Sequence, residues 1–332
     1  MNPSAISALR RAIAHTKWML FEPFSFWKWV KLAIVAVFVN GIGGNVNVPG
    51  QVFEEGYKWV KANPEAVKSL YLPVGLTFGF LFLLATYLTA RFEPIFVDNM
   101  CGNHARIVEP WKRLSGIGLR WFLVRLGVRL LGIAWLVALA VPTYFEVMRA
   151  RAAPGPFHFP FIILAWLIPG VVVTLAGLVL LSILVEDVGL PLAMYRDQPS
   201  VLAGLRESAS VVFSNPVYFL LFWLLKMGAG LIAGSVMAMF GCVIGGVFGV
   251  LVGLLVLVGI GMTKGGGLAW TSPAVLAVLI PLGVVVFLAY ALALNLLATP
   301  INVFFRSFSL AAVEEFGTVK TLSRAYPAAG PA

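Results

Sequence analysis

Charge is what this sequence has least of. Asp, Glu, Lys and Arg make up 11% of its residues, against about a quarter in an ordinary soluble domain. Histidine and cysteine are also scarce. His15, His104 and His158 fall on separate segments, and the two cysteines, Cys101 and Cys242, lie in a basic loop and an apolar run. Neither cysteine has a ligand partner at metal-binding spacing, so a metal site and a disulfide are both disfavoured. A glycine-rich stretch occurs at Gly41-Ile42-Gly43-Gly44, but Asn45, Pro49 and Gly50 follow it. A phosphate-cradling loop would open a helix and bring Lys and Ser/Thr, so a flexible connection is the better reading. No catalytic constellation, cofactor fingerprint or nucleic-acid module is legible. No catalytic residue, cofactor or metal is therefore expected, nor any enzymatic activity.

What is abundant is apolar sequence. Of 332 residues, 60% are apolar, and the mean hydropathy is +0.94. These residues fall in long blocks, the pattern a bilayer demands. The fold class is therefore all-α: a polytopic transmembrane helix bundle with interfacial amphipathic helices. Spans are expected over about 26–39, 70–90, 121–144, 161–185, from 217, and 273–298. The block 217–262 is too long for one crossing of about 20 residues. A turn near Phe240-Gly241 and a glycine-rich segment that does not fully cross are expected there. Six spans result, with seven as the competing count. The first apolar run lacks a small-residue cleavage site and reads as an uncleaved anchor.

Residues 1–25 read as an N-terminal interfacial amphipathic helix. Ile6, Leu9, Ile13 and Leu20 recur at helical spacing, with Arg10, Arg11 and Lys17 among them. Residues 26–310 form a single transmembrane domain, and 311–332 a C-terminal tail. The net charge of +10 has its simplest reading in loops that face anionic lipid heads. Alternate loops 1–31, 91–120 and 186–216 hold 5, 5 and 2 Lys+Arg, against 3 and 2 in 45–69 and 145–158. The first set totals 12 and the second 5, which predicts a multi-pass protein of the cell (inner) membrane with a cytoplasmic N-terminus. Arg306, Lys320 and Arg324 put the C-terminus on the same side. Expected partners are membrane lipids, anionic ones among them, and a second copy or another membrane protein.

A weak internal repeat covers about 92–130 and 189–227. At a constant offset of 97, Pro94 matches Pro191, Phe122 matches Phe219 and Arg129 matches Lys226. Thr299-Pro300-Ile301 echoes Glu93-Pro94-Ile95 and Leu190-Pro191-Leu192. The stretch 188–222, VGLPLAMYRDQPSVLAGLRESASVVFSNPVYFLLF, resembles a segment of the membrane domain attached to some glycerophosphodiester phosphodiesterases. LFEPFSFWKWVKLA, FVDNM with VEPWKRL, and FFRSFSLAAVEEFG resemble a broader group of uncharacterised prokaryotic membrane proteins. The resemblance implies a fold and a membrane role. The phosphodiesterase barrel is absent, so it implies no active site.

Polar residues inside apolar spans carry the functional reading. Lys226 lies roughly nine residues, or ~14 Å, into its span. It, Arg129 and Arg125 are candidates for lipid or substrate contact. Snorkelling or pairing with a carboxylate is the plainer role of each. Glu93, Asp98, Glu186 and Asp187 are candidates for those ion pairs. Gly241, Gly245, Gly249 and Gly253, with Gly230 and Gly234, have the spacing of a helix-packing or dimerisation face. Asn295 and Asn302 could hydrogen-bond across helices. Two functions follow: a bundle that binds lipid or a partner protein, and, as the alternative, a transporter or permease for a lipid or small amphiphile. A midplane cavity lined by Lys226 and Arg129 would favour the second.

Overall fold

The computed structural model describes residues 3–40, 58, 61–62, 64–152, 162–195, 200–266, 273–317 and 322. The glycine-rich loop 41–50, most of the mixed segment 51–69, the 153–161 loop and most of the tail beyond 317 lie outside the described residues. Within them the chain is helical and has no strand. In chain order the helices are α1 (Ala5–Phe21), α2 (Phe26–Asn40), α3 (Pro64–Gly102), α4 (Val108–Arg113), α5 (Ser115–Ala152) and α6 (Ile162–Leu181). A π-helical segment (Ser182–Gly189) leads directly into α7 (Leu190–Tyr195), followed by α8 (Val201–Ser214), α9 (Pro216–Gly266) and α10 (Pro273–Glu314).

Among the described residues, five helices are long and apolar enough to cross a membrane: Leu72–Gly102, Ser115–Ala152, Leu167–Tyr195, Pro216–Gly261 and Ala277–Glu314. The expected turn near Phe240-Gly241 is not there, and Pro216–Gly266 is one continuous helix of 51 residues. Glycine weakens a helix, by about 1 kcal/mol against Ala. An unpaired backbone in an apolar medium costs several times that, so helix propagation wins. For the same reason α3 does not stop at Ala90 but runs through Pro94 to Gly102. The stretch expected as a basic loop is thus largely the end of α3, the short α4 and the start of α5. At 15 residues, α2 is shorter than the ~20 that a perpendicular crossing needs.

Burial is concentrated at one end of the bundle. The core joins Ala5, Ala8 and Ala12 of α1 to Leu32 and Val35 of α2 and to Ile95 to Cys101 of α3. Trp121, the turn from Ile183 to Met194, Phe219 and Phe222, and Val303 to Val313 of α10 complete it. Away from that end the long helices expose apolar side chains: Leu76 and Phe78, Leu131 and Leu136, Leu231 and Ile232, Val285 and Leu288. An apolar exterior is what helices in hydrocarbon present.

The packing discloses a further likeness between the chain's ends and its middle. Pro3-Ser4-Ala5-Ile6-Ser7-Ala8-Leu9-Arg10 parallels Pro199-Ser200-Val201-Leu202-Ala203-Gly204-Leu205-Arg206 at an offset of 196. Ser4 and Ser200 both stand at the N-cap position with extended backbone, at φ −130° and −142°, and the Ser200 hydroxyl accepts from the Ala203 backbone N–H. The buried positions correspond: Ala5 to Val201, Ala8 to Gly204, Ala12 to Ser208. α8 packs on the π segment and α7, and α1 packs on α10. The N-terminal helix therefore does for the last span what α8 does for the π segment and α7. α1 is held there by Arg11, which reaches Glu314 at 3.1 Å and Glu315 at 2.8 Å. Ile6 and Ile13 of α1 remain exposed beside Arg10 and Lys17.

Candidate functional site

Where the spans converge, five elements place ionisable groups around one cavity of about 470 Å³. Glu93 comes from α3, just before Pro94. Arg125 and Arg129 stand one turn apart on α5. Glu186 and Asp187 come from the π segment. Lys226 comes from α9, and Asn302, Arg306 and Ser309 come from one face of α10. The π segment matters to this layout. π turns are rare and collect at functional sites. Its last residue, Gly189, leaves no room for a side chain: an added Cβ would lie 2.5 Å from the Leu184 carbonyl oxygen. The same oxygen accepts a hydrogen bond from Ser208 Oγ at 2.7 Å, which fastens α8 to the π segment.

The carboxylates are heavily engaged. Glu93 is buried and receives Trp121 Nε1 at 2.7 Å, Arg125 Nε at 2.9 Å and Arg306 Nη2 at 2.8 Å. Arg306 Nη1 also donates to the Glu186 backbone carbonyl at 2.7 Å. Arg125 Nη2 bridges to Glu186 Oε1 at 3.0 Å. Lys226 Nζ donates to both oxygens of Asp187, at 2.6 and 2.7 Å, and Ser309 Oγ adds a third bond at 2.6 Å. Buried charges persist only when paired and hydrogen-bonded in this way.

One cation stands outside this scheme. Arg129 donates to the Thr86 hydroxyl and lies over the Phe82 ring at 5.6 Å. Among the described residues no carboxylate lies within ion-pair distance of it. Asn302 also lines the cavity, and its Nδ2 has no hydrogen-bond partner. Two smaller clefts share walls with the cavity. One, of about 250 Å³, adjoins Arg125, Arg129 and Glu186 and continues between Val128, Leu178, Leu181 and Val185. The other, of about 290 Å³, adjoins Asp187 and Lys226 and continues past Trp223, Met227 and Phe305. A wholly apolar groove of about 630 Å³ lies beyond, between α6 and the α8–α9 corner.

The structure thus brings together Lys226, Arg129, Arg125, Glu93, Glu186 and Asp187. Asp98 is elsewhere, paired with Arg113 at 2.6 Å. Arg120 is exposed and has no ion pair among the described residues. Arg306, expected as a charge of the C-terminal tail, is instead buried in α10 at the centre of the site. Its spacing held the clue: Asn302, Arg306 and Ser309 stand at i, i+4 and i+7 in a run whose only other polar residue is Ser307. Asn295 bonds only within its own helix, to the Ala291 carbonyl at 2.9 Å. A Cβ built at Gly234, Gly241, Gly245, Gly249 or Gly253 meets nothing within 4 Å, and one at Gly230 meets only Phe305 at 3.8 Å. The glycine ladder therefore faces outward from the described chain. Those residues also hold no cluster of His, Cys, Asp or Glu suited to a metal ion.

Outside the spans, burial lowers His15 to about 4, with the Lys28 charge adding to the effect. His15 Nδ1 meets Ser307 Oγ at 2.8 Å. Lys28 donates to the Met19 carbonyl and to Asn103 Oδ1, both at 2.6 Å.

Long apolar helices around a charged interior define a helical protein built for a membrane. More particularly, the chain belongs to a family of unknown function, DUF7544, which matches residues 3–318. No curated protein and no solved structure matches it.

Proposed function

We propose that this chain is a multi-pass protein of the cell membrane that binds an amphiphile, with the polar head in the charged cavity and the tails along the adjoining clefts. The observation that carries the reading is the junction of the two environments. A cavity of about 470 Å³ ringed by seven ionisable side chains adjoins two clefts with apolar walls. A purely structural ion-pair network would close on itself. This one leaves about the volume of a small ligand, at the low end for ligand sites. In this reading α2 forms a sixth, tilted crossing, both termini are cytoplasmic, and the exposed face of α1 rests on the lipid heads. The membrane-domain resemblance of 188–222 brings no catalytic residue with it, and no activity is drawn from it.

A second reading, transport of that amphiphile, has its own support. Arg129 and Lys226, related by the 97-residue offset, line the same cavity. Repeat-related residues meeting at a central site is the arrangement of many transporters. Native mass spectrometry of protein extracted in mild detergent tests binding: co-purified lipid should be displaced when Lys226 and Arg129 are both replaced by Ala. Loss of nothing, from a variant that remains folded, would sink the binding site. Movement of a labelled amphiphile across proteoliposomes, lost in the same variant, would raise binding to transport.

A further inference from the structure

We propose that the cavity selects a two-chain lipid whose head carries a singly charged phosphate diester, and that Arg129 meets the phosphate. The inference rests on the amphiphile-binding reading and names its ligand class.

The first ground is charge. The cavity holds four cationic side chains and three carboxylates. The pairings leave one cation over, and geometry identifies it. Every carboxylate has a cationic partner within 3.0 Å, whereas Arg129 has a hydroxyl and an aromatic face. A guanidinium set among apolar spans without a paired counter-charge is costly. One negative charge from the ligand restores neutrality. A dianion would overshoot, and would press on Glu186, whose side chain is half-exposed with one cationic partner.

The second ground is hydrogen-bonding character. Arg129 and the Asn302 amide nitrogen offer donors to the cavity, and the latter is unsatisfied within the protein. Guanidinium recognises phosphate through paired N–H donors, and does so better than a point-charge ammonium. The third ground is shape. Both clefts touch Ser182 of the π segment; beyond that segment one is walled by α5 and α6 and the other by α9 and α10. They are nearly equal, at about 250 and 290 Å³. A single-chain carboxylate would fill one and leave the other empty.

The test uses the full-length protein in detergent, stripped of co-purified lipid and titrated with dioleoyl phosphatidylglycerol, dioleoyl phosphatidylcholine or dioleoylglycerol. Occupancy is read by native mass spectrometry. Wild type should prefer the phosphatidylglycerol by about tenfold over dioleoylglycerol, the scale of a charge-assisted hydrogen bond, and should bind it more tightly than the phosphatidylcholine. Arg129→Gln should lose that preference, and Arg120→Gln, on the exposed face of the same helix, should keep it. Equal binding of all three by wild type would overturn the headgroup selection while leaving amphiphile binding intact, and this comparison needs no variant. Undiminished preference in Arg129→Gln would overturn the role of Arg129. Retention of none of the three would overturn the binding reading itself.

Discussion

Lys226 and Arg129 face one cavity from two spans, but only Lys226 has a carboxylate: its ammonium lies 2.6 Å from Asp187, while Arg129 rests on Thr86 and Phe82. The difference assigns the two cations different jobs. Lys226 holds the π segment to α9, and so is part of the wall. Arg129 is the one free to answer a ligand. Removing one member of a buried pair strands the other, which costs more than the pair contributes.

Lys226→Ala should therefore destabilise the protein by about 3 kcal/mol, and Asp187→Ala by a similar amount. Asp187 is the more buried partner, so the stranded carboxylate in Lys226→Ala should do the greater harm. Lys226→Met combined with Asp187→Leu should recover much of the loss. The check is denaturant unfolding in micelles for the two single variants and the pair. A double variant as unstable as the sum of the two single ones would show that the residues act independently.

Which of these features could be read beforehand follows from their physics. Lys226 and Arg129 announce themselves because charge in an apolar run is costly wherever the chain goes. Asp187 and Glu186 can be read as ion-pair candidates, but not which cation each takes: Lys226 for Asp187 and Arg125 for Glu186. The identity of each pair depends on the π segment, which has no sequence signature. Arg306 looks like a tail residue until α10 is seen to run on past Pro300. Glycine's weak helix preference by itself predicts a break in α9, but the cost of unpaired backbone in hydrocarbon keeps the helix continuous. The kinship of α1 with α8 was written in PSAISALR and PSVLAGLR, yet it gains meaning only when α1 is seen packed on α10.

Glu93 should be the least replaceable carboxylate. It joins Trp121, Arg125 and Arg306, and so ties α3 to both α5 and α10. Glu93→Gln keeps the shape but leaves two arginines facing a neutral amide. A loss of about 3–5 kcal/mol is expected, seen as a lower melting temperature in detergent. Glu109→Gln serves as the comparison, because Glu109 pairs only with Arg106 in solvent. Equal melting temperatures for the two variants would mean that the Glu93 cluster does not hold the spans together.

His15 makes stability depend on pH. In the folded protein its proton affinity is lowered to about 4, against 6.5 for a free imidazole. Between those values the unfolded chain binds the proton and the folded chain does not. Stability is therefore full above pH 6.5 and falls as the pH drops towards 4, by up to about 3 kcal/mol. His15→Asn can still face Ser307 but cannot titrate. The difference in melting temperature between wild type and His15→Asn should shift against wild type from pH 7 to pH 4.5. A constant difference would show that His15 charges as readily inside the fold as outside it.

Gly204 and Ala8 hold equivalent places in the two kindred helices, yet they should not tolerate the same exchange. A Cβ on Gly204 would lie 2.6 Å from the Ala193 backbone nitrogen and 2.7 Å from its Cα. Those are backbone atoms of α7 and cannot turn aside. Gly204→Ala must push α8 away from α7, and α8 carries Ser208, whose hydroxyl fastens the π segment. A loss of about 2 kcal/mol is expected from such overpacking, together with a disturbed cavity. Ala8 already carries its Cβ in full burial against α10. Ala8→Gly should cost about 1 kcal/mol, through backbone entropy and a lost methyl contact. It should leave the cavity unchanged, because the polar contacts of α1 with α10 and the residue after it go to Ser307, Ala311, Glu314 and Glu315, none of which lines the cavity. The distinguishing measurement is lipid occupancy alongside melting temperature. Gly204→Ala should lower both, and Ala8→Gly only the second. If Gly204→Ala left occupancy at the wild-type level, the π segment would not depend on α8 for its position, and the cavity would owe its shape to the ion pairs alone.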